Sequence, residues 1–155
     1  MVDRMTDIVD QATRSRMMSG IRSRNTKPER LLRKALHSLG FRYRLHDTKV
    51  LGHPDLVFPK YHAVLFIHGC FWHGHDCSLF RYPETRKEFW KEKIRKNQER
   101  DTKIRKVLAD AGWRIGVVWE CTLKGKYRIG LEESVNRIVF WLRSEQKEME
   151  IRGTS

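Results

Sequence analysis

The chain reads as a mixed α/β domain in three layers, with helices packed on both faces of a small sheet. A length of 155 residues suits one core. The periodic segments run helix, strands, helix, strand, helix, an order that three layers accommodate. The run Ala63-Val64-Leu65-Phe66-Ile67 shows no polar alternation, as expected of a central strand covered on both faces, and it is too short to cross a bilayer.

Residues 1–26 form a basic arm carrying Arg14, Arg16, Arg22 and Arg24, with Met17, Met18 and Ile21 as a small apolar side. It reads as a docked helix, an arm that tracks a groove of DNA, or a solvated terminus. Residues 27–145 form the main domain, and a charged, frayed tail follows over 146–155. A helix is expected over Pro28–Leu39, with Thr26 as N-cap, Glu29 in the first turn and Gly40 as stop. Leu31, Leu32, Ala35, Leu36 and Leu39 give it one apolar stripe. Phe41 to Leu45 alternates as a strand. After the break at Gly52-His53-Pro54, Asp55 to Phe58 starts a second strand, and Ala63 to Ile67 completes a hairpin that delivers Asp55 and His68 to neighbouring positions. A long helix is expected from Thr85 to Ala111, with Trp90, Ile94, Ile104 and Leu108 inward. Asn97 and Asp101 fall on the same stripe, as satisfied core groups or as groups facing a site. Trp113 to Trp119 reads as a strand and Leu131 to Glu145 as the last helix.

Lys and Arg number 32 against 19 Asp and Glu, a net charge of +13, which favours polyanionic partners. The odd cysteine count fits a secreted disulfide framework poorly, and the amino terminus lacks the apolar stretch of a signal peptide, so a cytoplasmic protein is expected. Cys70, Cys77 and the remote Cys121 offer three thiolates, and His73 or His75 a fourth ligand, the donor set zinc prefers. Spacing does not choose between the two histidines. Asp55, near a helix bearing Glu29, is placed to hold magnesium over a phosphate, with His68 and His73 as base or charge stabiliser. Phe71 and Trp72, inside the same loop, and Trp90 are candidates to stack on or wedge between bases.

The runs Gly52-His53-Pro54-Asp55-Leu56-Val57 and Phe66-Ile67-His68-Gly69-Cys70-Phe71-Trp72-His73 resemble the very short patch repair DNA mismatch endonucleases. So do Glu88-Phe89-Trp90, Lys96-Asn97 with Glu99-Arg100-Asp101, and Val118-Trp119-Glu120-Cys121. The resemblance covers residues 10–143. It implies a restriction-endonuclease-like fold with a structural zinc site. It also implies magnesium-dependent nicking on the 5′ side of the thymine of a T·G pair left by 5-methylcytosine deamination.

By the same resemblance, Asp55 ligates magnesium together with the backbone carbonyl of Ile67, which stands where relatives have threonine. His73 is the general base, His68 assists at the phosphate and Glu29 supports the metal and water network. Zinc falls to Cys70, His75, Cys77 and Cys121. Phe71, Trp72 and Trp90 enter the major groove, Met18 and Ile21 with Arg14 and Arg22 follow the minor groove, and Asn97 contacts DNA. The implied setting is a bacterial monomer, nucleoid-associated on DNA. It works with mismatch-repair factors, a repair polymerase and ligase, alongside a cytosine-5 methyltransferase. Two rivals stand beside this reading: a restriction-type nicking endonuclease on the same fold, and a zinc-stabilised DNA-binding protein without catalysis.

Overall fold

The computed structural model describes residues 25–154, so the expected roles of Arg14, Met18, Ile21 and Arg22 lie outside the described residues. Helix α1 spans Lys27–Ser38, where Thr26 Oγ1 accepts the Glu29 N–H at 3.4 Å and Pro28 sits in the first turn. Its buried stripe is narrower than the leucine pattern predicts. Leu32 and Leu36 are fully covered, whereas Leu31 and Leu39 are 38% and 57% exposed. Phe41 does not join a strand; its N–H returns to the Leu36 carbonyl and its ring enters the core, so β1 is only Arg44–Leu45.

Strand β2 (Leu56–Phe58) pairs antiparallel with β1 and with β3 (Ala63–His68), the hairpin turning through Pro59–Tyr61 and a left-handed His62. Helix α2 (Lys87–Asp110) then leads to β4 (Arg114–Trp119), which lies parallel to β3. Helix α3 (Leu131–Arg143) leads to β5 (Glu148–Ile151), parallel to β4. The result is a mixed five-stranded sheet in sequence order. No described helix is long and apolar enough to cross a membrane.

Alternation along the strands builds two cores. Leu56, Phe58, Ala63, Leu65 and Val118 face α1 and α3, where Leu32, Leu36, Ile138 and Trp141 meet them. Val57, Val64, Phe66, Ile115 and Val117 face the other way, toward Leu108 and Ile104 of α2. This is the three-layer arrangement expected of the sequence.

The tail from Gln146 is not frayed, which corrects the reading of 146–155. Arg114 draws the carbonyls of Trp141, Leu142 and Ser144 around its guanidinium at 2.5, 3.2 and 2.9 Å, ending α3. The Trp141 indole N–H then donates to the Gln146 carbonyl at 3.0 Å, turning the chain back along β4. Ile151 is 1% exposed in the α1/α3 core. Ile151→Ala is therefore expected to cost about 2–5 kcal/mol in chemical denaturation. Lys147→Ala, at an exposed position four residues before Ile151, should stay within about 0.5 kcal/mol.

Candidate functional site

The carboxyl ends of β3, β4 and β5 lie side by side, and the functional side chains gather there. Beyond β3 the loop closes on itself: His73 N–H donates to the Gly69 carbonyl, His75 N–H to Cys70 and Cys77 N–H to His75. This brings Cys70, His75 and Cys77 together with Cys121, which follows β4, so that all four donor atoms lie within 4.8 Å of one another. His75 Nδ1 stands 3.6 Å from Cys70 Sγ and 3.7 Å from Cys121 Sγ. Those separations match the ~3.6 Å edge between nitrogen and sulfur in a tetrahedron with Zn–N and Zn–S bonds of ~2.1 and ~2.3 Å. Burial pushes the Cys70 and Cys121 thiols up, so those two stay protonated when bare and a dication would be needed to hold them as thiolates.

The donor set thus fits a closed zinc-type site, with His75 rather than His73 facing the sulfurs. Trp119 stacks on the His75 ring at 3.9 Å and 7°. The third strand end contributes as well. Gly153 N–H donates to Cys121 Sγ at 3.3 Å, and a Cβ at Gly153 would fall 2.6 Å from the Cys121 carbonyl oxygen. Arg152 holds Asp76 at 2.7 Å.

Asp55 sits just ahead of β2, and its Oδ2 accepts the Ile67 N–H at 2.6 Å. The hairpin therefore joins Asp55 to the end of β3, as the sequence predicts. Burial, reinforced by the nearby Glu29 charge, raises the Asp55 carboxyl to about 7 against the opposing pull of the Ile67 N–H. Glu29, from the first turn of α1, is 1% exposed and paired with Arg33 at 2.8 Å. His73 Nδ1 contacts Asp101 Oδ2 at 2.5 Å, and the His68 and His73 rings stack at 3.8 Å. Burial, with His73 and Arg105 adding to it, holds His68 well below its ordinary pKa.

The inward stripe of α2 thus sends Asp101 to the site. Asn97, expected to contact DNA, is buried in this structure, and its amide donates to the Trp72 carbonyl at 2.9 Å. Gly74, where a Cβ would meet Ile94 and Gln98 at 2.7 and 2.5 Å, lets the loop press on α2.

Phe71, Trp72 and Trp90 meet edge to face, with centroids 5.2–5.7 Å apart. Phe71 and Trp90 are half-buried and Phe89 extends the cluster outward at 44% exposure. Trp72, expected to be exposed, is only 8% exposed and forms the base of the cluster. One cleft runs from Glu29, Asp55 and His68 to Phe71 and Trp72. A neighbouring groove along Asp55, His68 and Asp101 is edged by Arg100 and Arg105.

Three participants escaped the sequence reading. His46, directly after β1, lies 2.8 Å from Glu29. Glu120 accepts the Cys70 N–H at 3.2 Å and borders the cleft. Arg105, from α2, edges the groove beside His68 and adds to the lowering of its pKa. For His46 a signal was present: strand pairing of residues 44–45 with 56–57 sets it across from Asp55.

The raised Asp55 carboxyl yields a stability prediction. Its folded-state value lies above the unfolded one, so its contribution is complete below pH ~4 and is lost as pH rises through about 7. Without added divalent cation, Asp55→Asn should come close to the parent in urea denaturation at or below pH ~4 and exceed it by a margin that grows toward pH 8. Equal stabilities at both pH values would contradict the assignment.

The chain matches the family described as DNA mismatch endonuclease Vsr over residues 6–79. It is 44% identical over 141 residues to the DNA mismatch endonuclease Vsr of Escherichia coli strain K12, covering 91% of this chain and 90% of that protein. It is 47% identical over 119 residues to the type II nicking enzyme V.XorIIP of Xanthomonas oryzae pv. oryzae, covering 77% and 88% of the two chains. It is 49% identical over 135 residues to the type II nicking enzyme V.NmeAIP of Neisseria meningitidis serogroup A, covering 87% and 95%.

Proposed function

The chain belongs to the Vsr family of DNA mismatch endonucleases, and from that premise we propose that it nicks one strand on the 5′ side of the thymine in a T·G pair left by 5-methylcytosine deamination. That cut opens very short patch repair. The observation that carries this reading is the carboxylate-backed His73 beside the half-buried Asp55, in a cleft that continues into an aromatic cluster.

Asp55 and the Ile67 carbonyl would hold a magnesium ion, which when bound withdraws charge from the scissile phosphate. His73, with Nδ1 engaged by Asp101, keeps Nε2 free to take a proton from the attacking water. His68, kept neutral by burial, lies flat against His73 and faces the phosphate. Glu29 orders water beside Asp55. Arg100 and Arg105 attract the backbone phosphates along the groove.

Cys70, His75, Cys77 and Cys121 hold zinc as a structural ion on a restriction-endonuclease-like fold. Phe71 and Trp90 press against the mismatch from the major groove, over a base formed by Trp72 and braced by Asn97. Arg14, Met18, Ile21 and Arg22 follow the minor groove. The three segments are a DNA-binding arm over 1–26, the nuclease over 27–145 and a terminal segment over 146–155 that contributes the last strand. The enzyme works as a monomer in the bacterial cytoplasm, on nucleoid DNA, and hands the nick to mismatch-repair factors, a repair polymerase and ligase.

Several relatives carry the description of type II nicking enzyme, which favours a second reading: a restriction-type nicking endonuclease on the same fold. End-labelled duplexes bearing one T·G pair in varied flanking sequence, with matched controls and magnesium, decide between them. The proposal expects one nick on the thymine strand and none in matched DNA; cleavage of matched duplex would favour the second reading. Asp55→Ala should abolish nicking with zinc content unchanged. His73→Ala should slow it by about 10²–10⁴-fold with binding retained.

A further inference from the structure

The groups around Asp55 include one that the mechanism leaves idle. His46 lies at the end of β1 in a left-handed backbone conformation, φ 47°. Its N–H donates to the Asp55 carbonyl at 3.2 Å, continuing the β1–β2 ladder by one residue. That left-handed turn directs the imidazole inward, where the side chain is nine-tenths buried. Nε2 ends 2.8 Å from Glu29 Oε2 and 3.8 Å from Asp55 Oδ1. Despite this proximity, Nε2 makes no hydrogen bond of acceptable geometry with any described residue.

Glu29 is held from behind, its Oε1 accepting the Asn25 N–H at 3.0 Å and its Oε2 taking Arg33 at 2.8 Å. Two carboxylates and an imidazole therefore converge, all three donor atoms within 4.8 Å. Separations of 2.8 and 3.8 Å bracket the ~3 Å between adjacent ligands around a cation at ~2.1 Å.

We propose that His46 is a nitrogen ligand in the divalent-cation site it forms with Asp55 and Glu29, so that this chain takes manganese-like cations in preference to magnesium. The inference rests on the reading of Asp55 as a cation ligand and extends it. Magnesium favours oxygen donors and retained waters, whereas imidazole nitrogen suits first-row transition ions. An imidazole nitrogen set between two carboxylates therefore shifts selectivity toward first-row transition ions. The competing account is an imidazolium that merely neutralises Glu29 and Asp55; it places a proton where the ligand account places a metal.

The test uses the full-length, zinc-loaded protein without DNA. Manganese(II) binding is followed by electron paramagnetic resonance, magnesium by competition against it, and directly bound imidazole by ¹⁴N modulation in a pulsed experiment. The parent protein should bind manganese and show ¹⁴N modulation. His46→Gln should still bind manganese, lose that modulation and weaken manganese binding by about tenfold, with a smaller change for magnesium. Modulation that persists in His46→Gln, or no modulation in the parent, overturns the proposal, as does a parent that binds no manganese at millimolar concentration. If His46→Gln fails to fold, the presence or absence of modulation in the parent decides.

Asp55→Asn separates this inference from the reading beneath it. Loss of manganese in Asp55→Asn, with unchanged modulation in His46→Gln, removes His46 alone. An Asp55→Asn protein that binds manganese and nicks T·G duplexes like the parent removes the catalytic assignment, and the role of His46 with it.

Discussion

The parallel register of β3 against β4 is the constraint on which the molecule depends. His68 is paired with Trp119, and the two cysteines Cys70 and Cys121 each follow their strand by the same short step. Equal offsets in a parallel ladder bring the thiols side by side before any metal acts. The same register stacks Trp119 behind His75 and against His68. A slip of one residue would turn Val64 and Phe66 from the α2 core to the opposite face and separate the thiols at once. Burial and ligand geometry select the same pairing, and such agreement between levels gives a fold a single answer.

That agreement explains how much the sequence reveals. Helices α1, α2 and α3 are legible because their apolar stripes and caps are local, as the Thr26 cap and the Ile94–Leu108 stripe illustrate. The β2–β3 hairpin is legible from its two short apolar runs and its Pro59 turn. The ligand residues declare themselves by chemistry, since thiols and imidazoles crowd one loop. Strand β5 is hidden because Glu148 and Glu150 give it the look of a solvated tail; it is an edge strand whose charges face out, and Glu150 instead takes the Trp119 indole N–H at 2.6 Å. His46 is hidden for a different reason: its importance is a cross-strand relation, and a strand of two residues leaves almost no periodic trace. The coverage of Trp72 is equally non-local, because α2 supplies Trp90 and Asn97 from a distant stretch of chain.

The site is built against its own stability. The buried Glu29 and the half-buried Asp55 share one corner, and Glu29 adds to the desolvation that lifts the Asp55 carboxyl. A fold optimised for stability alone would not keep two carboxylates there. Arg33 offsets one of them, while the Ile67 N–H only partly offsets the other. The remaining deficit would give the corner an affinity for positive charge: the less the protein satisfies Asp55, the more a cation bound there is worth.

The aromatic cluster follows a similar logic in apolar terms. Trp72 is clamped by the amide of Asn97 and the rings of Phe71 and Trp90, so its loop is fixed at both ends, by the cysteine cluster and by α2. A rigid edge would lose little conformational entropy on pressing into stacked bases, the role proposed for this cluster. The free energy of opening the stack then falls mainly on the DNA, and a wobble pair opens at lower cost than a matched one. Selectivity for a mismatch can therefore arise from stiffness in the protein, before any hydrogen bond to a base is made.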